Sequence, residues 1–127
     1  MSRAIADTSV FIAREAGRPL RTLPDEIAVS VITAGELELA ILRASDPAIR
    51  ATRLRTLARV RAEYWLLPVD DQTASCFARL ADEQLRAGRK PRRHDTWIAA
   101  TALRHGAAVV TQDADFSAYA SVDVINV

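Results

Sequence analysis

The chain has 127 residues, half of them hydrophobic, and a formal net charge of +1. That length suits a single domain, residues 1–127, with enough apolar side chains for a proper core. No run is long and apolar enough to span a membrane, Asp7 interrupts the apolar segment of any signal peptide, and one cysteine excludes an internal disulfide, so the expected compartment is a reducing cytoplasm.

The first strand is expected over 3–6 and the first helix over 8–16, stopped by Gly17 and Pro19. Residues 18–25 read as a loop, and 27–31 as the second strand. A helix over 33–44 follows, with Leu37, Ala40, Ile41 and Ala44 on its apolar face and Thr33 to Glu36 at the spacing of a capping box. Asp46-Pro47 opens a third helix to Glu63, with Ile49, Leu54, Leu57 and Val60 apolar. Residues 65–69 read as the third strand. Asp71 then caps a fourth helix over 72–87, whose apolar set is Ala74, Phe77, Ala78, Ala81 and Leu85. Cys76 lies in that helical pattern and reads as core.

A basic connection from Arg86 to Arg93 leads to a helix over 96–105, with Ile98, Ala99, Ala102 and Leu103 inward and Gly106 as its stop. A fourth strand at 107–111, a turn, a short helix over 116–120 and a fifth strand at 122–127 complete the chain. Five strands alternating with helices predict an α/β fold: a roughly five-stranded parallel sheet covered on both faces.

Charge is unevenly placed along these elements. Residues 43–61 hold six arginines and one acid, and residues 86–93 hold five basic groups and none. Each run reads either as a solvated helix face or as a patch for phosphates, which arginine forks suit. The acids gather elsewhere, at strand-to-helix junctions: Asp7 after strand one, Glu36 after strand two, Asp113 and Asp115 after strand four. Asp95 heads the helix that leads back into strand four. In a parallel sheet these positions share one edge, where open α/β sheets keep their ligands. Asp7 and Glu36 also suit plain capping. Carboxylates crowded together repel, and a divalent cation such as Mg²⁺ relieves the conflict. Zinc ligand clusters and Gly-rich phosphate loops are absent, and His94 and His105 read as surface or supporting groups.

These motifs resemble a known family. Ile5-Ala6-Asp7-Thr8-Ser9-Val10-Phe11, Ser30-Val31-Ile32-Thr33-Ala34-Gly35-Glu36, His94-Asp95-Thr96-Trp97 and Val110-Thr111-Gln112-Asp113-Ala114-Asp115-Phe116 resemble, in order, the four motifs of PIN-domain nucleases. The size is similar to that of VapC-type toxins of bacterial toxin–antitoxin pairs. The resemblance implies a Mg²⁺- or Mn²⁺-dependent endoribonuclease. Its acidic set is Asp7, Glu36 (directly or through water), Asp95 and Asp113, with Asp115 as a further ligand. Thr8, Ser9 and Thr111 are its polar supports. It also implies a homodimer silenced by a VapB-type antitoxin, while Arg89, Lys90, Arg92 and Arg93 are placed by sequence to meet RNA phosphates. Two other classes are set against this reading: a receiver-like phosphoacceptor module, for which the only lysine, Lys90, is misplaced, and a PIN-like scaffold that only binds a partner.

Overall fold

The computed structural model describes residues 3–127. Its strands, β1 (Arg3–Ala6), β2 (Glu26–Ser30), β3 (Trp65–Leu67), β4 (Ala108–Thr111) and β5 (Val124–Asn126), form one sheet in the order β3-β2-β1-β4-β5. Every pairing is parallel. The helices are α1 (Thr8–Glu15), α2 (Val31–Arg43), α3 (Pro47–Glu63), α4 (Asp71–Arg86) and α5 (Arg93–Arg104), with a short 3-10 turn at Ala114–Ala118. The strand alternation divides the core in two. Ala4, Ala6, Val29 and Val110 pack with Val10 and Phe11 of α1, Leu37 and Ile41 of α2, and Leu57 and Val60 of α3. On the other face Ile5 and Val109 meet Cys76 and Leu80 of α4, Ile98 and Ala99 of α5, and Phe116. Helices thus cover both faces, as the near-continuous apolar strands require.

The strand order has a consequence for function. The chain winds outward from β1 through β2 to β3, then returns to place β4 on the other flank of β1. The direction of winding switches between β1 and β4, and such switch points open a crevice beyond the strands' carboxyl ends.

Several boundaries differ from the expected ones. The helix expected to begin at Thr33 begins at Val31, because the Ser30 hydroxyl accepts from the Ile32 amide at 3.1 Å and caps it there. Thr33 is therefore inside the helix and wholly buried, and the capping box does not form. In α4 it is Asp70, not Asp71, that caps, accepting from both the amide and the hydroxyl of Thr73 at 2.8 Å. Those two bonds hold the Asp70 carboxyl below its ordinary range. The buried face of α4 is Thr73, Cys76, Leu80 and Gln84, whereas Ala74, Ala78 and Leu85 are exposed. Two polar residues turn inward because each finds a partner: Thr73 on Asp70, and Gln84 donating to the Ala118 carbonyl at 2.9 Å. In α3, Ile49 and Leu54 are exposed, as are Leu39, Leu42 and Trp65 elsewhere, while Tyr64 packs edge-on against Phe11. The last helix starts at Arg93 rather than Thr96, the 3-10 turn at Ala114 rather than Phe116, and the fifth strand covers Val124–Asn126 only.

Candidate active site

Asp7 follows the last residue of β1 and its backbone is still extended, so its amide donates to Val110 of β4 at 2.8 Å. Its carboxylate then caps α1, accepting from the Ser9 amide at 3.4 Å. The same oxygen, Oδ2, accepts from the Thr111 hydroxyl at 2.9 Å. Among the described residues none bonds Oδ1. Asp7 is a cap, therefore, and also a buried carboxylate with one oxygen uncommitted, so capping does not use up the group.

Thr111 and Ser9 lace the two strand ends together. Thr111 gives its one proton to Asp7, so Ser9, 3.1 Å away, donates to Thr111 and in turn accepts from the Gln112 amide at 3.0 Å. Thr111 also accepts from the Asp113 amide at 2.8 Å, which sets the turn that carries Asp113. Thr8 donates to Glu36 at 2.7 Å and lies 3.1 Å from Thr33, across to α2. Starting α2 two residues early puts Thr33 one turn before Glu36, so both face Thr8. His94 Nδ1 stands 3.4 Å from the other Glu36 oxygen.

Asp95 is in the first turn of α5, and burial raises its pKa from 3.8 to about 6. Arg92 restrains the rise, and the charges of Asp7, Asp113 and Glu36 add to it. These acids therefore share one neighbourhood, drawn from the ends of β1 and β4 and the starts of α2 and α5. Asp95 Oδ2 is buried without a hydrogen bond: Arg92 Nε is 3.0 Å away but out of line for one. An orphaned, electron-rich oxygen beside other carboxylates is the donor chemistry that a hard divalent cation takes. Among the described residues, no three His, Cys, Asp or Glu side chains converge closely enough to surround an ion as they stand. The guanidinium of Arg92 lies among them instead. Besides Asp95 it contacts Asp113 at 3.4 Å and, more closely, Asp115. The three carboxylates raise its own pKa further.

The basic residues before α5 divide. Arg89, Lys90 and Arg92 line a cleft of about 420 Å³ with Asp95, Asp115 and Tyr119, whereas Arg93 does not. Sequence reasoning placed Arg92 with the phosphate-binding group and missed its bridge between the acids, since Asp113 and Asp115 are 21 and 23 residues further on. Thr33, read as a cap, was missed as a support; its signal was the unusual pair of hydroxyls at Thr8 and Thr33. A larger hollow of about 520 Å³, among Arg3, Glu26, Trp65 and His105, lies at the strands' amino ends, away from this chemistry.

The family model for the PIN domain matches residues 4–122. The chain belongs to the PIN-domain family. Among curated relatives, this PIN domain is 46% identical to "Ribonuclease VapC5" of Mycobacterium tuberculosis, over 97% of this chain and 94% of that protein. It is 42% identical to "Ribonuclease VapC4" of the same organism, over 98% and 97%. Among solved structures it is similar to a member of the VapBC family of toxin–antitoxin systems, VapBC-5, from M. tuberculosis. That match has a TM-score of 0.88 and 43% identity, and covers 100% of both chains. The parallel five-stranded sheet flanked by helices is thus the architecture of a PIN domain.

Proposed function

We propose that this PIN domain is a Mg²⁺- or Mn²⁺-dependent endoribonuclease of the VapC toxin type, neutralised by a VapB-type antitoxin. The observation that carries the reading is the carboxylate group at the β1/β4 switch point, which includes the buried Asp95 Oδ2 that no hydrogen bond satisfies. The names of the relatives, ribonucleases of the VapC type and a VapBC complex, support it.

Asp7, Asp95 and Asp113 would hold the cation, with Asp115 as a further ligand and Glu36 acting directly or through water. Bound there, the ion would supply charge stabilisation at the scissile phosphate and lower the pKa of a water nucleophile. The protein's own contribution is the placement of charge. Thr111 and Ser9 fix Asp7, and Thr8 fixes Glu36, so these carboxylates keep their geometry without substrate. Asp95 is set half-buried beside Asp7, Asp113 and Glu36, and burial with those charges raises its pKa to about 6 before any cation binds, so a cation held there would relieve the strain. Arg89 and Lys90 line the adjoining cleft and Arg93 starts α5, which suits them to phosphates flanking the cleavage point.

A partner surface adjoins the site. A cleft of about 220 Å³ joins Thr8 and Glu36 to Ile12, Leu37 and Arg53. It shares Ile12, Glu15 and Arg53 with a second, of about 330 Å³, that reaches Ile49. With exposed Leu39, Leu42, Ile49 and Leu54 nearby on α2 and α3, this groove suits an antitoxin segment that ends at the acids. Exposed Leu85 on α4 leaves apolar surface for a second copy, and we place the protein as a homodimer in the cytoplasm, a compartment that suits the single buried thiol of Cys76. The test is cleavage of RNA with Mn²⁺ and with chelator. Cleavage that persists in chelator overturns the metal assignment, and no cleavage of any RNA with metal overturns the enzyme.

A further inference from the structure

Resting on that reading of the acidic site, we infer that Arg92 is its built-in counter-cation, which neutralises the carboxylates while the metal is away and passes to the RNA phosphate when the metal arrives. The geometry is that of a tethered ion. The Arg92 carbonyl accepts from both the amide and the hydroxyl of Thr96, at 2.8 and 2.6 Å, so the backbone is fixed at the start of α5. The side chain is 53% exposed, and only charge contacts hold its far end. It serves no helix-capping purpose, because no side-chain cap bond is made at that position. Its guanidinium instead contacts Asp95, Asp113 and Asp115 together, three carboxylates from two separate elements.

Three carboxylates around one guanidinium leave the cluster under-neutralised, so a divalent ion competes for the same oxygens with twice the charge. A displaced Arg92 need not leave the cleft, which Asp95 and Asp115 also line. It already lines the cleft with Arg89 and Lys90, where a planar fork matches a phosphate. Loading of the metal and gripping of substrate are then one exchange: the ion takes the carboxylates, and the arginine they release takes the phosphate.

The experiment is calorimetric titration of Mn²⁺ into the protein without RNA. Arg92→Gln should bind Mn²⁺ at least about fivefold more tightly than wild type, the effect of removing a neighbouring unit charge. It should melt lower than wild type in chelator, with the gap closing in saturating Mn²⁺. Arg86→Gln makes the same charge change away from the acids, on a residue paired with Asp82, and should leave Mn²⁺ affinity unchanged. With a non-cleavable RNA, Arg92→Gln should weaken binding in Mn²⁺ more than in chelator. Equal or weaker Mn²⁺ binding by Arg92→Gln than by wild type overturns the exchange, and so does a loss of RNA affinity that ignores the metal. A wild-type protein that binds no Mn²⁺ at all instead overturns the underlying metal site.

Discussion

Burial places Asp95 under electrostatic strain, and its sign is testable. Because its pKa rises from 3.8 to about 6 on folding, the folded state holds the proton more tightly than the unfolded state. Stability from this group is full below pH 3.8 and is lost as pH climbs through about 6. Asp95→Asn removes the charge that must be buried. Without metal it should therefore be more stable than wild type at pH 8, and the difference should vanish by pH 4. The rise corresponds to at most ~3 kcal/mol. Screening by solvent brings the expected gain to about 1–2 kcal/mol. Denaturant melts at the two pH values measure it. The same variant should lose RNA cleavage, as should Asp7→Asn, which keeps size and capping ability but not the anionic oxygen. Asp71→Asn should cleave normally, since Asp71 is an exposed first-turn residue of α4 remote from the site's bonds. Activity in Asp7→Asn, or its loss in Asp71→Asn, would show that the acids are divided wrongly. At this scale the sequence revealed what is local. Asp7 and Asp113 sit at strand ends, and their bonds to Ser9 and Asp115 are two residues long. Arg92 was hidden because a side-chain reach across the turn after β4 leaves no mark on spacing.

Among the elements, α4 is where residue type misleads. Its alanines and Leu85 form an apolar stripe on paper, yet the helix turns Thr73, Cys76, Leu80 and Gln84 inward. Helical periodicity fixes which residues share a face, but which face is buried depends on partners elsewhere. Here Cys76 and Leu80 enter the core with Ile5, Ile98 and Phe116, and the carbonyl of Ala118, 34 residues on, accepts the Gln84 amide so that Gln84 can be buried beside them. Leu80→Ala should cost about 2–5 kcal/mol by leaving a cavity. Leu85→Ala, at a residue 62% exposed, should stay within about 0.5 kcal/mol. Thermal or denaturant unfolding of the two variants distinguishes the faces; equal losses would contradict this orientation of α4. At the start of α2, Ser30→Ala should cost about 1 kcal/mol through the lost cap. It should also loosen Glu36, because the cap determines where Thr33 and Glu36 fall against Thr8.

Across the whole molecule, the two arginine-rich stretches differ in their surroundings. Those of α3 are engaged with the protein itself: Arg50 and Arg53 donate to the Ile41 and Ala40 carbonyls that end α2, Arg55 to Thr52, and Arg59 to Glu63. Arg53 also lines the groove running to Glu36. Replacing Arg53, Arg55 and Arg59 together by Ala should leave RNA cleavage nearly intact and let the protein escape its antitoxin, at some loss of melting temperature. A triple variant that is still neutralised but binds RNA poorly, with a flattened salt dependence, would assign the patch to RNA. The sheet order itself was only partly legible: alternating strands and helices imply a parallel sheet, but not which strand lies at its centre. That centre, β1 beside β4, gives the site a timing. The bond from Thr111 to Asp7 spans 104 residues, so β1 must wait for β4 to be made and to pair with it before the acidic group is complete. A nascent chain halted before Ala108 has Asp7, Glu36 and Asp95 but neither Thr111 nor Asp113 to complete them. On the proposed reading of the site, synthesis is its own safety catch: a copy lacking Thr111 and Asp113 should not cleave RNA, and cutting should begin only once β4 has closed against β1.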